Sequence, residues 1–515
     1  MTRQISGTGH PAFANVEELA LCEPGKEIAF EIHLRHPALD ALIRGGDAGA
    51  VAPLVASEET RAAVMDWATV VGFRPDDAGH GPLTLAFHGS AGKINAAFGI
   101  KLVEDAKGGQ QGHGHADDYT LPEHVAGAVA FVTGLDTRPL AEPHLRAHPD
   151  AASGQSATLP SYAVPDVAKM YNFPTSLDGT GQKIAIVELG GGYRSSDLDA
   201  YFAKYGLKTP SIKDVGISGG KNDPGTNHNN DSEVTLDIEI VGAVASGAEY
   251  AIYFVPNYAY SYALAIQTIL ADKTFDADFI TISWGGAESR YNAQSKSMTE
   301  SYAKLAAAHG VTVICSSGDT GANDGTSAPV ANFPAAVPEV LSCGGTSITV
   351  EQGRITDEVV WDNLQYSWGG ASGGGISDAF AVPAYQAAIT LPKSPSGNAG
   401  RGVPDVSANG DPLTGYSYYC DGKWSFVGGT SAAVPLWAGL LARINQGVGS
   451  SVGAVNAALY EAQAQARGAF KDVTQGQNGY YKAGVGWDAC TGLGVPDGDK
   501  IYQYLKARVS QSSGS

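Results

Sequence analysis

Positive charge is scarce in this chain. Its 515 residues carry 33 Lys and Arg against 53 Asp and Glu, a formal net charge of -20 at pH 7. Phosphate backbones are bound by clustered cations, so nucleic acid is excluded as a partner class. Long apolar runs are also missing. None approaches the length of a membrane span, which removes the bilayer as a partner. Cysteine is sparse: Cys22, Cys315, Cys343, Cys420 and Cys490, with no CxxC pair. That spacing argues against a zinc site or a thioredoxin-type redox motif. An odd number at wide spacing reads as buried free thiols, with one bridge left open. The opening thirty residues contain no apolar signal core, which leaves export by another route open. What is abundant is apolar: 43% of residues are hydrophobic and only 17% charged, as in a well-packed globular chain. The 66 glycines imply many tight turns and close backbone approaches. An excess of carboxylates suits an acidic medium, where protonation relieves their mutual repulsion.

Histidine divides the chain. His10, His33, His36, His80, His88, His113, His115, His124, His144 and His148 precede a stretch rich in Ala, Ser and Pro, "DAASGQSATLPSYAVPD"; only His228 and His309 follow it. This places a boundary near residues 150–160. Before it, "KEIAFEIHL" and "GPLTLAFHG" read as strands, and "ETRAAVMDWATVVGF" and "AGKINAAFG" as helices. A small α+β domain with a ferredoxin-like arrangement is expected. After it, apolar strands such as "KIAIVEL", "FITISWG" and "VTVICSSG" alternate with helical stretches such as "SEVTLDIEIVGAVA" and "SKSMTESYAKLAAAHG". That pattern predicts a parallel α/β domain covered on both faces.

The stretch "GGTSAAVPLWAGL" presents Ser431 at the start of an apolar helix, a place suited to a nucleophile. Its usual base is histidine, and none is well placed. His309 closes a helix, where the dipole stabilises a cation. His228 lies in the polar loop "GTNHNNDS", where a surface role is the commoner outcome. Carboxylates offer an alternative. Glu233 and Asp237 are four residues apart and share one helical face. An isolated pair would read as a solvated acidic face. Here Val234, Leu236, Ile238, Ile240, Val241 and Ala243 make the helix mostly apolar, so its carboxylates need a reason to be buried. Glu188 ends an apolar strand at a glycine turn, and Asp319 follows another in "SSGDTG". Sites in parallel sheets form at C-terminal strand ends, although a Gly-Asp turn is a sufficient reading of Asp319 alone. Glu188, Glu233, Asp237, Asp319 and Ser431 would then gather at one sheet edge.

The segments "IAIVELGGGY", "SEVTLDIE", "SWGG" from Ser283, "SSGDTG", "RGVPDVSANGDP" and "GGTSAAVP" occur in the order found in the sedolisins. The second part of the chain therefore resembles these serine-carboxyl peptidases, closest to their kumamolisin branch. The first part resembles the family's propeptide. The resemblance implies a subtilisin-like domain with a mostly parallel central sheet covered by helices, after a small α+β prodomain. It divides the chain into a propeptide domain at 1–145, an activation linker at 146–160, a peptidase domain at 161–508 and a disordered tail at 509–515. It also implies Ser431 as nucleophile, Glu233 as base, Asp237 as the residue orienting that base, and Asp319 as oxyanion residue. Glu188 and Trp284 match supporting members of the network. A carboxylate base stays useful in acid, where histidine is protonated. Asp319 can donate to an oxyanion only when protonated, so activity should fall towards neutral pH.

Asp472 and Asp488 flank glycine-rich turns near the C-terminus, a composition that by itself fits ordinary turns or calcium. The resemblance implies one structural Ca2+ held by both carboxylates and by the carbonyls of Val473, Gly484 and Gly486. It further implies an extracellular, monomeric zymogen that acts on proteins or peptides. Its own prodomain would be the inhibitor, removed autocatalytically near residue 155 in acid. Protonation of prodomain histidines, among them His113, His115, His144 and His148, is one way to loosen that domain; ordinary surface histidines are the other reading. Two further classes are weighed: a catalytically silent binding protein on the same fold, and an esterase. The residues around Ser431, Gly429-Thr430-Ser431-Ala432-Ala433, lack the G-x-S-x-G elbow and favour a protein substrate.

Overall fold

A computed structural model describes residues 1–10, 20–43, 54–105, 112–148, 161–465 and 468–512. The expected processing position near residue 155 and the last three residues of the expected tail lie outside them. The chain divides into two compact units. One comprises Met1–Leu140, Asn257–Ala271 and Ser289–His309; the other comprises Ala141–Pro256, Asp272–Glu288 and Gly310–Ser515.

The first unit carries a four-stranded antiparallel sheet in the order Arg74–Pro75, Thr84–Ser90, Glu27–Leu34, Val129–Thr133. Alternate residues of Glu27–Leu34 point inward, as a half-buried strand requires. Helix Glu58–Val71 starts where the Ser57 hydroxyl accepts the Thr60 N–H at 3.1 Å, and it stops at Gly72 in the left-handed conformation. Phe30, Trp67, Phe73, Phe87 and Phe98 fill the space between sheet and helices, with edge-on contacts such as Phe30–Phe73 at 4.8 Å. This is the expected α+β domain. Helices Ser261–Ala271 and Ala293–Ala308 belong to the same unit, where Phe131 stacks on Tyr260 at 5.2 Å.

The histidines of this unit are not mainly at the surface. His10, His33, His36, His113 and His115 are buried. The His33 ring stacks on Phe131 at 4.2 Å, between the hydroxyls of Thr133 and Thr84. Burial pushes His33 down to about 3 and His36 to about 4.

The second unit is built on an eight-stranded sheet. Its main path runs Ile212–Gly216, Glu249–Phe254, Lys183–Glu188, Phe279–Ile282, Thr312–Ser316, Val340–Glu351, Arg354–Val360, and Val406–Asn409 also pairs with Val340–Glu351. All pairings are parallel except that of Val340–Glu351 with Arg354–Val360. The buried strands are mostly apolar, as sheets covered on both faces demand. Helices His228–Val244 and Thr430–Val448 are almost entirely buried. All five cysteines are buried free thiols. The final helix, Gly498–Ser512, continues through Ser512, into the stretch expected to be a disordered tail. Residues 509–512 contain neither Gly nor Pro, so nothing in them stops the helix.

Candidate active site

Helix His228–Val244 brings two carboxylates into the interior. The Asn227 side chain caps it by accepting the Asn229 and Asn230 N–H groups at 3.1 and 3.3 Å. Every residue from Asp231 to Val244 is buried, so the solvated-face reading of Glu233 and Asp237 is excluded. Asp237 Oδ1 accepts the Ser283 hydroxyl at 3.0 Å. Glu188, at the end of the adjoining sheet strand, accepts the Trp284 indole N–H at 2.8 Å. Both Glu233 carboxylate oxygens, and Asp237 Oδ2, have no hydrogen-bond partner among the described residues. Burial pushes Asp237 up to about 8. Burial, and after it the Asp237 charge, push Glu188 and Glu233 well above the usual carboxylate range. Three carboxylates in one dry space therefore share protons and titrate as a group.

Ser431 faces this cluster from the first turn of Thr430–Val448. Gly429 immediately before it has φ +113, where a Cβ would meet the His144 carbonyl oxygen at 2.1 Å and Asp319 Oδ2 at 2.8 Å. The Ser431 hydroxyl donates to the Ser283 carbonyl at 3.2 Å and lies near enough to Glu233 to favour its ionised form. The hydroxyl is thus turned aside from Glu233 and towards the Ser283 carbonyl. Asp319 Oδ1 accepts both the N–H and the hydroxyl of Thr430, each at 2.8 Å. Its Oδ2 is buried without a hydrogen-bond partner among the described residues. Burial pushes Asp319 up to about 7, against the opposing pull of Arg146.

Residues 142–147 run through this site as an extended strand. Glu142–Pro143 pairs antiparallel with Gly285 and Trp284, and Arg146–Ala147 pairs antiparallel with Gly428 and Val427. Between the two pairings the His144 N–H donates to the Ser283 carbonyl at 3.0 Å, and the His144 carbonyl accepts the Ser431 N–H at 3.0 Å. That carbonyl therefore sits at a helix N-terminus, where negative charge on its oxygen would be favoured. Arg146 approaches Asp319 Oδ2 at 3.8 Å.

Of the residues expected in the site, Ser431, Glu233, Asp237, Asp319, Glu188 and Trp284 all converge here. His228 pairs instead with Asp421 at 2.8 Å at the surface, and His309 donates to the Leu305 carbonyl of its own helix. Ser283, Thr430 and His144 were missed. Ser283 and Thr430 stand beside Trp284 and Ser431 in the quoted motifs, but they act through backbone atoms and short hydroxyls that carry no pattern of their own.

The C-terminal loop has features that suit a calcium ion. Gly486 N–H donates to Asp472 Oδ2 at 2.8 Å and Gly484 N–H to Asp488 Oδ2 at 3.1 Å, which draws the loop around the two carboxylates. Asp472 Oδ1 is buried with no hydrogen-bond partner among the described residues, an acceptor that a hard cation would satisfy. Asp488 Oδ1 is already engaged by the Cys490 and Thr491 N–H groups.

Comparison with known proteins agrees with this geometry. Residues 217–486 match the subtilase family, and residues 50–138 match the pro-kumamolisin activation domain. The chain is 41% identical to kumamolisin from Bacillus sp. (strain MN-32) over 473 residues, covering 89% of this chain and 85% of that protein. It is 29% identical to sedolisin from Pseudomonas sp. (strain 101), over 82% of this chain and 75% of the relative. Among solved structures, Pseudomonas sedolisin complexed with two molecules of pseudo-iodotyrostatin superposes with a TM-score of 0.62 at 26% identity. That match covers 68% of this chain and 99% of the other. The chain belongs to the subtilase family in its sedolisin–kumamolisin branch, and it is a serine peptidase preceded by an activation domain.

Proposed function

We propose that the protein is an acid-active endopeptidase zymogen that hydrolyses protein substrates through a Ser431–Glu233–Asp237 triad, and that its first substrate is its own segment at residues 142–147. The observation that carries this reading is the His144 carbonyl on the Ser431 N–H, with Asp319 Oδ2 unsatisfied beside it. Glu233 takes the Ser431 hydroxyl proton as the oxygen attacks the carbonyl carbon. The oxyanion is held by the Ser431 N–H and by protonated Asp319, whose Oδ1 is pinned by Thr430 so that Oδ2 bears the proton. Collapse breaks the C–N bond. The leaving amine takes the proton from Glu233, and the acyl group stays on Ser431 until water, activated by the same carboxylate, releases it. Asp237, held by Ser283, shares a proton with Glu233 and orients it. Glu188 and Trp284 brace that pair.

In the latent chain the bond presented is His144–Leu145, upstream of the position near residue 155 expected from linker composition. Falling pH protonates Asp319 and charges the unfolded form of the histidine-rich domain, so both terms favour activation in acid. Asp472, Asp488 and the carbonyls of Val473, Gly484 and Gly486 would hold a structural Ca2+, which cross-links the last loops and takes no part in the reaction. We place the working enzyme outside the cell, as a monomer.

The test is a time course of the full-length chain shifted from about pH 7 to about pH 4 beside Ser431→Ala. Cleavage within 144–160 followed by digestion of a denatured protein, both lost in the variant, is the expected result. An intact wild-type chain that remains inert would return the silent binding protein to first place.

A further inference from the structure

The peptide-bond chemistry leaves His228 without a task, and the fold places two further metal-binding side chains beside it. Helix His228–Val244 packs on the hairpin whose strands are Tyr416–Cys420 and Lys423–Gly428. Cys420 ends the first of these strands, and Asp421 opens the turn in the left-handed conformation, with φ +53. His228 Nδ1 lies 2.8 Å from Asp421 Oδ2. Cys420 Sγ completes the group: one nitrogen, one sulfur and one carboxylate oxygen all lie within 4.8 Å of one another. His228 is exposed and Cys420 buried, so the group is open to solvent on its imidazole side.

The surroundings hold these donors in place. Asp421 Oδ1 accepts from the Arg194 guanidinium, which leaves Oδ2 turned towards His228. Asp197 fixes the hairpin turn, its carboxylate accepting the Asp421 N–H at 2.8 Å and the Gly422 N–H at 3.3 Å. The Ser232 hydroxyl lies 4.0 Å from Cys420 Sγ.

The spacing and chemistry suit a zinc-like ion. Such an ion bonds N and O at about 2.0–2.1 Å and S at about 2.3 Å in a tetrahedron, so its ligand atoms stand about 3.3–3.6 Å apart. The His228–Asp421 contact need open by only about 0.5 Å, a small turn for an exposed imidazole. The Asp421 carboxylate and a Cys420 thiolate match the two charges of the ion, while Asp197 balances Arg194. Burial pushes the Cys420 thiol up to about 11, so the empty site keeps its proton. An entering ion forms the metal–sulfur bond and releases that proton to water. A mixed N, S and O set selects a borderline ion over Ca2+, which takes six or more oxygens.

We propose that His228, Cys420 and Asp421 form a binding site for one zinc-class divalent cation, with water as the fourth ligand, which clips the first turn of helix His228–Val244 to the hairpin 416–428. The clip would join the helix that carries Glu233 to the hairpin that leads into Gly429 and Ser431.

The test titrates the full-length chain at about pH 7.5, with Zn2+ by calorimetry and with Co2+ by absorption. Co2+ should give a thiolate charge-transfer band and the intense visible bands of a four-coordinate ion. Zn2+ should slow hydrogen exchange in 416–428 and in the first turn of the helix. His228→Ala, at an exposed position, should weaken Zn2+ at this site by about a hundredfold or more, beyond what the loss of an outer partner costs. Cys420→Ser should abolish the charge-transfer band. Asp488→Asn, in the C-terminal loop, should leave both titrations unchanged. Absence of the thiolate band in the wild type, or equal Zn2+ binding by the wild type and His228→Ala, overturns the assignment. None of these readouts depends on hydrolysis, so failure here leaves the peptidase reading intact.

Discussion

Replacing Asp319 by Asn would separate the chemistry of the proposed oxyanion site from its pH dependence. The two Thr430 donors, each 2.8 Å from Oδ1, would hold the Asn carbonyl oxygen in the same place and aim the amide N–H where Oδ2 now lies. The variant keeps a donor at every pH, whereas the wild type keeps one only while the acid is protonated. With Asp319 at about 7, the protonated fraction at about pH 8.5 is roughly one in thirty. The kcat/KM ratio of Asp319→Asn to wild type should therefore rise about 30-fold between about pH 5 and 8.5. Asp319→Ala, which removes the donor outright, should lose about 10²–10³-fold at acid pH, or roughly 3–4 kcal/mol of transition-state stabilisation. The assay is kcat/KM on a quenched peptide, with circular dichroism at each pH to show that both proteins remain folded. Parallel pH profiles for wild type and Asp319→Asn would refute the assignment of the alkaline limb to this carboxyl group.

Other consequences follow from the same geometry. In a full-length Ser431→Ala background, His33 should make the first unit acid-labile. Its folded value lies below the unfolded 6.5, so the stabilisation is full above 6.5 and is lost as pH falls towards about 3. Between about pH 6.5 and 4 that amounts to roughly 3 kcal/mol, less whatever Glu31 at 3.5 Å returns to the charged ring. His33→Gln should flatten the pH dependence of hydrogen exchange in Glu27–Leu34, and an unchanged slope would count against this role. Gly429→Ala puts a Cβ 2.1 Å from the His144 carbonyl at a positive φ, so peptide hydrolysis should drop by about 10²-fold or more, while an active variant would contradict the close approach. Calcium at about a hundred times its Kd should stabilise the chain by roughly 3 kcal/mol. Chelation should therefore lower Tm in the wild type and leave Asp488→Asn unaffected; equal responses in both would remove the site from these carboxylates.

The alternation of Glu27–Leu34, the apolar strands and the capped helices were legible along the chain because local periodicity and cap chemistry act over a few residues. So were the catalytic candidates. A carboxylate on an apolar helix, or at the end of a buried strand, is an anomaly visible without coordinates, and Glu233, Asp237, Glu188 and Asp319 each broke such a pattern. Asp472 and Asp488 broke no such pattern, and only the family resemblance pointed to them. What the sequence could not reveal was what depends on distant residues meeting. His144 stood among ten histidines in the first part of the chain, and composition suggested a pH trigger for several of them. Tertiary structure gave them different surroundings: His33 lies against Phe131, while the His144 carbonyl lies on the Ser431 N–H. Thr430 and Ser283 became visible only when their donors and acceptors found Asp319, Asp237 and Ser431 across the chain. The sequence by itself determined which groups could do acid chemistry, because side-chain type and local burial pattern are written in order along it. The tertiary structure alone decided which of them share a proton and which peptide bond they face, because hydrogen bonding and desolvation depend on contacts between residues far apart in the chain.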